Sequence, residues 1–350
     1  MIRSAAIAAL LALTVASLAV AEEKPDFTGT YDVKTLTPLV RPAEFGDSLE
    51  LTREDAERIM REAQERREAR SANRGPVTEA PPEGGAPPIG IGDEFRETSG
   101  AGNVGGYNDF WVDSGDEVFD VDGKFRTSII VDPENGQYPP PTEAAIERLV
   151  QRRKLRRPND GTAWWLDVEG PGPYDGPESL GISERCVIGF TGAAPTYPSL
   201  YNNYKRIVQT DDYLMIEIEM VHDARIVRMN SEHPPKHIRS WLGDSIGWWE
   251  DDTLVIETTN FHPLGNMRSG GPDATITERF SKLENGDLLY RFTVDDPEMW
   301  TAAWTGEFTW RQTEDKLFEY ACHEGNYSME GILKGARLLE EEKRAQSSGD

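Results

Sequence analysis

Between Tyr213 and His262 the sequence alternates with a period that a β-sheet can use and a helix cannot. From Leu214, every second residue is apolar until a histidine: Leu214, Ile216, Ile218, Met220, His222. Tyr213, Glu217 and Glu219 carry the other face. Successive side chains of a strand point to opposite sides, so this pattern predicts a strand buried on one face. Asp223-Ala224 then predicts a tight turn, with Arg225–Met229 as the returning strand. SEHPPKH follows, and its two prolines cannot donate to a ladder, which predicts a loop or a sheet edge. His237, Arg239 and Trp241 share one parity, so an extended His237–Leu242 would put them on one face. Trp248-Trp249 open a further strand and Asp251-Asp252 a turn. Thr253–Thr259 reads as a strand with Glu257 opposite Leu254 and Ile256.

The same pattern extends to both sides. Lys205–Thr210 reads as a strand after Tyr201-Asn202-Asn203-Tyr204. Ile276–Leu283 and Asp287–Val294 pair about Glu284-Asn285-Gly286-Asp287, with Leu288, Tyr290, Phe292 and Val294 pointing one way. Asp295–Trp310 holds another strand and Lys316–Cys322 the last. About eight short strands joined by tight turns predict a mainly β fold: an antiparallel meander closing into a lipocalin-like barrel, or alternatively a two-sheet sandwich. Upstream, Phe27–Asp32 is a short first strand, and Val118–Val131 a hairpin about Asp122-Gly123. Helices are peripheral. Thr52 caps one whose inner stripe is Ala56, Ile59, Met60 and Ala63. Thr142 caps a second, running to about Leu155 with Ala145, Ile146, Leu149 and Val150 inward, and Ser328–Ala345 forms a third. Ser71–Gly92, rich in Pro, Gly, Ala and Ser, reads as a linker. Residues 22–98 therefore form an N-terminal strand, surface helix and linker, and residues 99–350 a β-rich domain with a C-terminal helix.

Charge and chain ends narrow the function. The formal net charge of −25 repels nucleic acid, which excludes that partner class. Arg3, the apolar run Ala5–Leu18 and Ala19-Val20-Ala21 have the form of a secretory leader cleaved after Ala21. An exported protein, periplasmic or extracellular, is expected, with no stable membrane insertion after cleavage, because no other apolar run is long enough to span. The two cysteines, Cys186 and Cys322, are expected to pair in such a compartment.

Ile238–Phe261, IRSWLGDSIGWWEDDTLVIETTNF, and Phe318–Arg337, FEYACHEGNYSMEGILKGAR, resemble a widespread family of uncharacterised exported bacterial proteins. PDFTGTYD and RTSIIVDPENGQYPP fit the same resemblance, which implies a secreted bacterial origin and brings no catalytic assignment. Asp251 stands where the resemblance leads one to expect a glycine in the turn after Trp249-Glu250.

The expected chemistry is acid–base: a hydrolase, lyase or isomerase acting on a sugar or other small polar ligand in a barrel pocket. Glu219 or Glu257 and His222, His237 or His323 are the candidates to exchange protons, since a carboxylate and an imidazole can do so near neutral pH. Arg239 would hold an anionic group, and Trp241, Asp244, Trp248, Asn326 and Tyr327 would line the ligand site. The alternative is a non-catalytic ligand-binding barrel, in which the histidines are packing residues. For Arg239 and Trp241 the structural alternative is an ion pair with an acidic neighbour over a packed indole. A metal site on His222, His233, His237 or His262 is disfavoured because the prolines of HPPKH forbid the usual helical spacing, and no cofactor is implied.

Overall fold

A computed structural model describes residues 24–72, 113–155, 161–265 and 270–348. The expected leader, the linker from residue 73 onward and the boundary at residues 98–99 lie outside the described residues. The strands are β1 (Gly29–Asp32), β2 (Asp120–Val121), β3 (Lys124–Phe125), β4 (Ile130–Asp132), β5 (Tyr204–Gln209) and β6 (Tyr213–Ile218). They continue with β7 (Asp223–Met229), β8 (Asp244–Glu250), β9 (Thr253–Thr259), β10 (Thr275–Lys282), β11 (Leu288–Asp295) and β12 (Trp304–Thr313). The helices are α1 (Arg53–Ala72), α2 (Glu143–Leu155) and α3 (Tyr327–Ser348).

Strands β5 to β12 pair in sequence, and β1 inserts between β5 and β12 to close a nine-strand barrel of lipocalin-like kind. β4 adds to the outside of β12. Closure removes free sheet edges. It also draws the N-terminal segment into the barrel, since Tyr31 faces Lys205 on one side and Gln312 on the other.

The alternation read from the sequence sets the inner face. Leu214, Ile216 and Ile218 on β6 are buried, as are Leu288, Tyr290, Phe292 and Val294 on β11. The lumen is filled mainly by rings. Phe280, Tyr290, Phe292, Trp304, Phe308 and Trp310 are all fully buried, with centroid separations such as 5.1 Å for Tyr290–Trp310 and 5.6 Å for Phe292–Trp304. Large side chains suit a barrel of this width, whose interior smaller residues would leave void.

Turn chemistry agrees with the sequence at several places. Asp122 and Gly123 take φ of 53° and 76°, the primed-turn conformation of a two-residue hairpin loop. Asp251 takes φ 51°, the left-handed region that glycine enters at least cost, so the turn expected there forms with aspartate in place of glycine. Thr52 and Thr142 cap α1 and α2 through the amides of Asp55 and Ala145, at 3.0 and 3.1 Å.

Five expectations change. The turn before β7 is a 3-10 turn at Met220–His222, not Asp223-Ala224, and Asp223 already begins the strand. β7 and β8 run parallel, so the chain must cross back over residues 230–243, and SEHPPKHIRSWL is that connection. His237–Leu242 is accordingly turn structure rather than a strand. Lys316–Cys322 is not a strand. Of the four residues expected inward on α2, Ala145 is buried, while Ile146, Leu149 and Val150 are exposed.

Candidate functional site

Register brings one set of strand ends together. Asp32 pairs with Tyr204, Lys205 with Ile218, and Ile218 with Asp223, so the end of β1, the start of β5, the end of β6 and the start of β7 form one mouth of the barrel. Alternation then breaks. Val221 and His222 both have positive φ, 62° and 54°. A β-branched residue enters that region at a cost of about 1–3 kcal/mol, a strain often stored beside functional groups. The turn carries Glu219 off the strand pattern and buries it to 2% exposure at the mouth.

Two further segments cover the mouth. Residues 186–199 fold over the lumen. Ala194 and Tyr197 join the core, the Thr196 amide donates to Tyr290 Oη at 3.0 Å, and the Gly189 amide donates to Asp223 Oδ2 at 2.7 Å. Gly192 lies so close to the Asp223 carboxylate that a Cβ there would collide with it. The second segment, residues 316–326, hangs from the turn. The Phe318 amide donates to Glu219 Oε1 at 3.0 Å and the Tyr320 amide to His222 Nε2 at 3.4 Å. The Cys186–Cys322 disulfide joins the two segments, with Cα atoms 5.8 Å apart.

Between these segments and the strand ends lies a cleft of about 780 Å³. Glu219, Asn326 and both disulfide cysteines line it, together with Asp32, Lys34, Asp113 and Tyr204. Asn326 Nδ2 donates to the Glu184 carbonyl at 2.7 Å. The Phe318 amide holds Glu219 Oε1, and Glu219 itself lines the cleft.

Beneath the cleft the barrel holds unusual charge. Lys205 faces inward, fully buried, and donates to the Asn202 carbonyl at 3.2 Å. Burial drives its pKa down to about 7, although Glu219, Asp223 and Asp32 pull it back up. Burial raises Asp223 to about 6 against the opposing pull of the Gly189 amide and Lys205. Two residues further along β7, Arg225 meets Glu278 in a two-bond pair, and Tyr290 Oη donates to Glu278 Oε1 at 2.7 Å. Burial works against the Arg225 charge, and Glu278 more than restores it. At the cleft rim, burial also opposes the Lys34 charge, but hydrogen bonds to Asp113 (2.6 Å) and Asp32 (3.0 Å) outweigh it and raise its pKa. Groups that titrate near neutrality beside a cleft are a recognised mark of a site.

The remaining candidates lie elsewhere. His237 is exposed. Arg239 donates to the carbonyls of Phe261 and Pro272 and pairs with Asp273, the structural alternative foreseen for it. Trp241 stacks on His262, with centroids 3.9 Å apart. Histidine, guanidinium and indole therefore sit on the crossover connection outside the barrel and do not share a hollow. Glu257 and Asp244 both reach His233 on the outer wall, 3.3 Å from its Nε2 and 2.6 Å from its Nδ1 respectively. Trp248 bonds Glu250 at 3.1 Å on the same wall. His323 and Tyr327 are exposed beside the cleft segment, and His222 lies at its edge. The four imidazoles of the central segment thus occupy four separate surroundings.

Sequence reading passed over Lys205, Asp223 and Tyr204. A signal was present for the first two: Lys205 shares parity with Ile207, and Asp223 with Val227. A charge on the apolar parity of a barrel strand points inward. No protein-family model, curated protein or solved structure matches the chain significantly, and the resemblance noted above rests on its motifs alone.

Proposed function

We propose that the mouth cleft binds a small polar molecule and exchanges protons with it, with Glu219 as the catalytic carboxylate. Asn326 and Tyr204 orient the ligand, and Lys205 acts as a positioning charge beneath Glu219. One observation carries this reading. A carboxylate that is almost wholly withdrawn from water lines a cleft, above a lysine whose charge is in balance near pH 7. The disulfide supports export to an oxidising compartment, and no described helix is long and apolar enough to cross a membrane.

A second reading, binding without chemistry, is favoured by the other wall of the cleft. Leu180, Ala321, Met329 and Ile332 make it apolar, and none of the lining residues is a histidine. The test is a thermal-shift screen of the mature protein against sugars, organic acids, amines and metal ions, repeated on Glu219→Gln. A compound that stabilises the wild type and not the variant supports the cleft, and its turnover by the wild type distinguishes enzyme from binder. Stabilisation equal in both proteins would remove Glu219 from the site.

A further inference from the structure

Resting on that cleft, we infer its ligand class: an organic cation, with an ammonium head on an apolar body. Charge comes first. Asp32, Asp113, Glu184, Glu219 and Glu319 line the cleft, and Lys34 is the one cation among its described lining residues. Lys34 is already held by Asp32 and Asp113, and even with the buried Lys205 beneath the cleft two cations face five carboxylates, so an acidic excess remains. Glu219 adds the decisive geometry. It lines the cleft at 2% exposure, with one oxygen held by the Phe318 amide. Out of water, such a carboxylate attracts a cation more strongly than one at the surface would.

Aromatic rings make the same selection independently. Tyr201, Tyr204, Phe318 and Tyr320 line the cleft, and ring faces attract ammonium groups. The apolar body is accounted for by the rim, where Phe318 is 58% and Ile332 37% exposed next to Leu180 and Met329. An anionic ligand would meet the carboxylates unpaired. A sugar would leave both the acidic excess and the apolar rim without a partner. The net charge of −25 also draws cations toward the molecule.

The test is isothermal titration of the mature protein at pH 7.5 with hexyltrimethylammonium, 1-hexanol, hexanoate and glucose. The ammonium should bind saturably, on the order of tenfold or more tighter than hexanol, and lose a similar factor in Glu219→Gln. Its affinity for the wild type should also fall with added salt, a readout that does not depend on any variant folding. Failure of the ammonium to bind, or binding no tighter than hexanol, overturns the inference. If glucose or hexanoate binds instead and is lost in Glu219→Gln, the ligand class is wrong and the cleft stands. Ammonium binding indifferent to Glu219→Gln overturns both the class and the cleft.

Discussion

Arg225 on β7 and Glu278 on β10 face each other across the barrel interior, joined by two bonds of 2.6 and 2.9 Å with both side chains withdrawn from solvent. Tyr290 on β11 donates to the same carboxylate and accepts from the Thr196 amide of the segment that covers the mouth. The pair therefore links three strands of the wall to the covering segment, and through it to the floor of the cleft.

Removing one partner strands the other charge in an apolar interior. Arg225→Met or Glu278→Gln should each lower unfolding stability by about 3–5 kcal/mol, whereas Arg225→Met combined with Glu278→Leu should recover most of that loss. Urea unfolding of the two single variants and the double variant checks this. Strictly additive losses would mean that the pair is not coupled.

The disulfide closes a loop across a separation of 136 residues. In the chain-entropy model such a link stabilises by up to about 5 kcal/mol. Reduction, or Cys186→Ala with Cys322→Ala, should lower the thermal midpoint while leaving the far-ultraviolet signature of the barrel in place, because the barrel ladder does not depend on the link. The same treatment should abolish ligand-induced stabilisation, since the two walls of the cleft would no longer be held together. Ligand stabilisation that survives reduction would contradict this.

Lys205 and Asp223 set a pH dependence with a definite sign. Lys205 falls from 10.5 to about 7, so above pH 7 the folded chain holds fewer protons than the unfolded one, and its contribution to stability rises from about 7 toward 10.5. Asp223 rises from 3.8 to about 6, so the folded chain holds a proton that the unfolded one has lost, and its contribution falls across that interval. Together they place a trough between about pH 6 and 7. Lys205→Met should therefore be more stable than the wild type at pH 6, with the difference shrinking by pH 9. Thermal midpoints of the two proteins across that range check it, and a difference independent of pH would refute the burial of the charge.

Arg239 separates fold from function. Its guanidinium ties the Phe261 and Pro272 carbonyls and Asp273 together on the outer connection. Arg239→Ala should destabilise by about 1–3 kcal/mol and leave ligand stabilisation intact. Loss of ligand response without loss of stability would return the site to the outer wall.

These contrasts show what the sequence carries. Strand alternation found the β-ladder because each barrel strand buries one face, and the caps at Thr52 and Thr142 and the Asp122-Gly123 turn are local chemistry that needs no tertiary context. The parallel pairing of β7 and β8 was not legible, because parity says which face is inward and not which way a neighbour runs. The site was legible only in part. Glu219 and Asn326, both candidates from the sequence, line one cleft with the cysteine pair, yet the alternation puts Glu219 on the outer face of a strand that ends one residue before it. Lys205 and Arg225 were missed because an interior charge looks like a surface residue until its partners, distant in sequence, are brought to it by the fold.

The most direct measurement of the cleft is a nitrogen–proton chemical-shift map of the protein, titrated with the compound that stabilises it most in the thermal screen. Binding at the barrel mouth predicts the largest shifts at the Phe318 amide, which donates to Glu219, and at the Asn326 side-chain amide. Shifts concentrated instead at His237, Arg239 and Trp241 on the outer connection would contradict it.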